Sequence, residues 1–200
     1  MKAGKVILLV FGVLVLLVAA GLLLGGGASM VLDRHFTDAD GYLATEAIQI
    51  ETENYAVLSE TARLHRHMLW ERWPATFRVQ AVPHRDGAAV FLGIASTERV
   101  AEYLAGVPHA IVEEFSIRPN RITFRRAPGT DEPTSPVVQR FWAAAVSGPG
   151  EQTLEWEVVP GDWVLVLMNA DGSSGVHASV SLGLRLPWLG RVGLGLVVSG

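Results

Sequence analysis

The residues in this chain whose chemistry could bind or react are few, and most of them offer oxygen. Asp38 and Asp40, followed by Gly41, have the alternate spacing that opens a calcium loop; Asn169, Asp171 and Ser173 repeat it late in the chain. Calcium takes about six to eight oxygen ligands. The position where an EF-hand would close its first loop with glutamate holds Gln49. The competing reading of both stretches is turn chemistry, because Asp, Asn and Ser side chains bond their own backbone in tight turns. His65 and His67 share a face only in an extended strand. No third ligand stands near them, and a zinc site uses roughly three or four. Trp70 and Trp73, in an irregular stretch, are the tryptophans placed to stack on a ligand, although large aromatic rings are usually packed.

Several chemistries are excluded outright. With no cysteine there are no disulfides, thiolate metal sites or cysteine nucleophiles. The sequence has no Gly-x-Ser-x-Gly elbow, no His-Glu-x-x-His and no phosphate-binding glycine loop. Neither a cofactor nor a catalytic residue is expected. From residue 33 onward fourteen arginines face twenty carboxylates, a formal −6. That balance argues against a nucleic-acid partner, which needs clustered basic residues.

The element that decides where this chemistry sits is residues 6–24, nineteen residues with no charged or polar side chain. As a helix rising about 1.5 Å per residue it would be roughly 28 Å long, close to the ~30 Å hydrocarbon core of a bilayer. Residues 6–27 therefore read as a transmembrane anchor. Lys2 and Lys5 precede it, against Arg34 beyond. The positive-inside rule then leaves residues 1–5 in the cytoplasm and the bulk of the chain outside. A cleaved signal peptide is the alternative, with the small residues Gly25 to Ser29 as its cleavage region. At the other end Trp188 and Arg191 suit a membrane interface, so residues 187–200 read as an interfacial segment or the start of a second span; a packed final strand is the alternative.

Between these ends the pattern is β. Ile48 and Ile50 alternate with Gln49 and Glu51; Phe77, Val79 and Ala81 with Arg78 and Gln80; Leu154 and Trp156 with Glu155 and Glu157. Such alternation predicts strands with one wet face. Residues 88–94 and 163–168 are apolar throughout and predict buried strands. Residues 55–58, 111–117, 121–125 and 137–146 add further runs, as does the alternation from Val176 to Leu182. Turns are expected at 84–87, 118–120, 147–150, 160–161 and 169–175. Residues 59–73 are ambiguous: Ser59 could start a helix in which Leu64, Met68 and Leu69 share a face. The clearest helix is 97–105, with Ser96 as N-cap, Glu98 in the first turn, and Gly106 and Pro108 beyond its end. Trp142, Trp156 and Trp163 are expected in the core. Roughly eight to ten strands with regular turns predict an antiparallel β-sandwich, jelly-roll-like, over residues 33–186, carrying one short helix and preceded by an N-terminal transmembrane helix.

The stretch RFWAAAVSGPGEQTLEWEVVPGDWVLVLMNADGSSGVHASVSLGLRLPWLG, with FLGIASTERVAEYLAGV and TDADGYL before it, resembles a group of uncharacterised actinobacterial membrane proteins. The resemblance covers most of residues 33–191. It implies an N-terminal span, an external β domain and often a second span after Pro-Trp-Leu-Gly, and it brings no catalytic residue with it. The GDW-strand-NADG pattern is also similar to secreted bacterial jelly-roll modules that accompany peptidases. The expected function is a non-catalytic binding or envelope structural module at the cell membrane, with the lipid bilayer as one partner. The alternatives are a sensor or accessory subunit contacting another membrane protein, and an accessory domain of an envelope hydrolase.

Overall fold

The computed structural model describes residues 40–64, 75–116 and 121–186. Residues 6–27, expected as an anchor, and the segment 187–200 lie outside them. Among the described residues no helix is long and apolar enough to cross a membrane. Twelve strands are described: β1 (Leu43–Ala44), β2 (Ile48–Thr52), β3 (Ala56–Leu58), β4 (Ala62–Leu64), β5 (Thr76–Pro83), β6 (Ala89–Ser96), β7 (His109–Ser116), β8 (Arg121–Ala127), β9 (Ala144–Pro149), β10 (Gln152–Glu157), β11 (Gly161–Asn169) and β12 (Val176–Arg185). Helix α1 (Thr97–Tyr103) follows β6, and a 3-10 turn spans Pro136–Val138.

The strands form two sheets. In the first, β12 is central, with β5 and then β10 on one side and β1 and β2 end to end on the other. In the second the order is β8-β7-β3-β11-β6-β9, and β4 continues beyond β3 along β11. The chain is mostly β, with two stacked sheets and one helix, as its alternation predicts. Two features differ from an all-antiparallel sandwich of eight to ten strands. There are twelve strands among the described residues, and β3 pairs with β7 in parallel, Val57 opposite Ala110. The connection through α1 brings β7 back alongside β3 in the same direction.

The apolar runs explain why the second sheet has a partner on both faces. Along β11, Leu165 and Leu167 point into the core between the sheets, while Val164, Val166 and Met168 point the other way. Along β6, Val90, Leu92 and Ile94 face the first sheet, and Phe91 and Ala95 face outward. That outward face is covered by Val100 of α1, by Leu104 and Val107 just after it, and by Phe141 and Trp142. Trp156 and Trp163 meet edge to face, centroids 5.2 Å apart, at the margin of the inner core.

Four local expectations are corrected. Residues 62–64 are strand, not helix. Ser59 replaces a missing ladder rung: its Oγ accepts the Leu165 N–H at 3.0 Å and its own N–H donates to the Leu165 carbonyl at 2.9 Å. That holds the chain extended where the register slips between β3 and β4. Residues 137–143 are not strand. Phe141 and Trp142 are needed as a cover over the second sheet, so the strand starts at Ala144 and runs to Pro149, through the expected turn. Ser96 occupies the N-cap position in extended conformation but makes no side-chain cap bond. Arg78 is not on a wet face: it is 6% exposed.

Candidate functional site

The outer face of the first sheet carries the polar side chains that alternate with its buried residues. Cross-strand register places its residues in rows. Glu51 lies beside His177, and Gln49 beside Ser179, which is beside Val82. Ser181 lies beside Gln80, which is beside Thr153. Gly183 lies beside Arg78, which is beside Glu155. Apolar partners on the same strands, such as Val79, Ala81 and Val180, point inward and are buried.

Hydrogen bonds tie the rows together. The Ser179 hydroxyl donates to Gln49 Oε1 at 3.0 Å, and Ser179 Oγ lies 3.1 Å from His84 Nε2. The Ser181 hydroxyl donates to Gln80 Oε1 at 3.4 Å; Gln80 Nε2 donates to Glu151 Oε1 at 3.1 Å. Glu51, His84 and Ser179 thus form an acid–imidazole–hydroxyl line, and its polarity can be read. Because the Ser179 proton goes to Gln49, His84 Nε2 must donate, which is the reverse of what a general base toward serine does. His84 Nδ1 is 3.8 Å from Glu51, too far for a hydrogen bond. The line orders polar groups on a surface; it does not activate a nucleophile.

One end of this face holds a stacked cluster. Tyr42 is 1% exposed, and its ring meets two guanidinium groups, with Arg78 at 3.9 Å and Arg185 at 4.9 Å from its centroid. Cation–π contact and mutual shielding from water keep both charges against the ring. Tyr42 donates its hydroxyl proton to Glu155 at 2.8 Å, and Arg78 donates to Asp40 at 3.2 Å. Burial, then the bond and the charge of Glu155, push the Tyr42 phenol up from its ordinary value. Gly183 makes the slot: a Cβ there would stand 3.3 Å from Tyr42 and 3.4 Å from Arg78.

The calcium candidates fall in separate places. Asp40 serves Arg78, and Asp38 lies outside the described residues. At the second loop, Asn169 donates through its amide nitrogen to the Ser173, Ser174 and Gly175 carbonyls, at 3.1 to 3.2 Å. Asp171 accepts the Ser173 N–H at 2.9 Å, and that bond holds its carboxyl below the usual range. Among the described residues no three His, Asp or Glu converge as a metal site would require. Trp70, Trp73, His65, His67, Lys2, Lys5, Trp188 and Arg191 lie outside the described residues. The Tyr42 cluster is what sequence reading misses. Its one signal is Gly183, which breaks the alternation of β12 opposite an arginine.

A second feature lies at the edge of the other sheet. A shallow groove of about 380 Å³ runs between β9 and residues 137–143, floored by Phe91 and Trp142. Phe91 and Trp142 rings sit 5.0 Å apart, and Trp142 is fixed by its N–H bond to the Pro136 carbonyl at 3.0 Å.

No family model matches the chain, and no curated protein matches it. Among solved structures it is similar to one described as "BiXyn10A CBM1 APO", at 6% identity over 74% of this chain and 75% of that one, with a TM-score of 0.24. So loose a superposition carries no structural or functional implication.

Proposed function

We propose that this protein is a membrane-anchored, non-catalytic binding module that displays a jelly-roll-like β-sandwich on the outer side of the cell membrane. The apolar run at residues 6–24, flanked by Lys2 and Lys5, supports the location. The outer face of the first sheet is the observation that carries the binding role. Its Gln, Ser, Thr, His and Glu side chains stand on rigid strands and are pre-ordered by one another, so little side-chain freedom is lost when a polar ligand docks. Polyhydroxylated envelope material is the ligand class such an array suits, since it offers paired donors and acceptors in a plane.

The test uses the absence of cysteine. Asp86, exposed in the β5–β6 turn, is replaced by Cys, and intact cells are treated with a membrane-impermeant maleimide. Labelling of the full-length membrane-bound chain supports the reading, whereas labelling only after lysis overturns the location. The detergent-purified chain is then passed over isolated envelope glycan. Retention that Gln49→Ala with Gln80→Ala abolishes, at unchanged melting temperature, supports the binding face. Retention of another envelope protein instead favours an accessory subunit.

A further inference from the structure

We infer that β9 is a self-association edge, where a second copy of this chain pairs antiparallel with the first. Sheet edges present unpaired backbone groups, and proteins block them with charged side chains. Three of the four edges here follow that rule. β8 carries Arg125 and Arg126; the β1–β2 edge carries Glu46 and Glu51; β10 carries Glu155 and Glu157. The strand β9 reads Ala-Ala-Val-Ser-Gly-Pro and has no charge. It pairs with β6 on one side, and among the described residues no strand pairs with the other. Residues 144–147 of this strand line the groove. Val137, 51% exposed, lines it, and Val138, at 69%, is the most exposed of the large hydrophobic residues described.

The flanking charges select the occupant. Arg140 precedes β9, is exposed, and has no ion-pair partner among the described residues. Glu151 follows β9, is exposed, and accepts only the neutral amide of Gln80. In antiparallel pairing about a two-fold axis near Val146, the start of one β9 faces the end of the other. Arg140, four residues before one β9, then stands at the same end of the pair as Glu151, two residues after the other, and the symmetry repeats this at both ends. Small side chains at Ala145 and Ser147 let two such edges approach without a clash. A six-residue pairing is a small interface, of the weak and transient class.

Trapping suits a weak interface. In the full-length, membrane-embedded chain, Ala145→Cys, Val146→Cys and Ser147→Cys are made singly and oxidised, with Glu53→Cys as a control far along the chain. The expected result is a disulfide-linked dimer that peaks at one of the three β9 positions and is absent from the control. Arg140→Glu alone, or Glu151→Arg alone, lowers its yield about fivefold, the scale of losing two exposed ion pairs and gaining repulsion. The combined exchange restores it, which a misfolded variant would not do. Absence of dimer at all three positions overturns the inference. So does a yield that ignores the charge exchange, or a crosslink to a chain of different mass.

Discussion

Replacing Gly93 by alanine tests whether Trp142 is seated as described. Gly93 lies on β6 between Phe91 and Ala95, on the outward face of the second sheet. A Cβ there would stand 2.7 Å from both the Phe91 ring and the Trp142 ring. Ordinary carbon contact is about 3.5–4.0 Å, so two rings must retreat by nearly an ångström. Phe91 is 2% exposed and has nowhere to go, so Trp142 must lift. Overpacking of this kind costs about 1–3 kcal/mol. At about 2–4 °C per kcal/mol for a domain near 150 residues, the melting temperature falls by roughly 2–12 °C. Near-UV circular dichroism of the full chain in detergent reads both the transition and the tryptophan environment. Trp142→Leu should relieve the crowding, so that Gly93→Ala costs at least about 1 kcal/mol less in that background. Gly93→Ala melting within a degree of the parent, or strict additivity with Trp142→Leu, refutes the packing argument.

Three further outcomes are expected. Asn169→Asp destabilises more than Asn169→Ala in thermal melts, because it turns a carboxylate on three carbonyls; calcium-dependent rescue of Asn169→Asp would instead mark the loop as a cation site. Tyr42→Phe costs about 1–2 kcal/mol through the lost bond to Glu155, read by urea denaturation. Tyr103, pushed up to about 12 by burial, favours the folded state fully below pH 10. As pH rises from 10 toward 12 the unfolded chain ionises first and that contribution is lost. Alkaline melts of Tyr103→Phe should lack this segment of the pH dependence.

How far the fold can be read from sequence depends on which partner each side chain finds. Ile48, Ile50, Val79, Ala81, Leu154 and the even positions from Val176 to Val180 are buried where alternation puts them, because one apolar face against one sheet obeys a period of two. The runs in β6 and β11 are legible as buried strands, but not as strands with two different covers. Periodicity breaks down where one side chain takes over a backbone role. Ser59 serves as a ladder acceptor, so a plausible helix start becomes the joint between two strand segments. Aromatic content misleads at Phe141 and Trp142, which read as strand and act as a lid. Arg78 looks like any wet-face arginine; only the distant Tyr42, seated over Gly183, buries it. Separations of that kind leave no local mark in the chain.

The placing of β11 and β12 has a consequence for the order of folding. The first sheet is assembled on β12, which holds β1, β2 and β5; the second is assembled on β11, which holds β3, β4 and β6. Strands made early thus wait for neighbours made more than a hundred residues later, as Ile48 waits for Val180. Contacts of such long range are slow to form. Until β12 is free, β1 and β2 have no strand to pair with, and β4 waits likewise for β11, so a growing chain carries several open edges. Two strands arriving last close both cores together. A chain with this topology keeps its early strands extended and unpaired until β11 and β12 are available, so both sheets are completed late and close together in time.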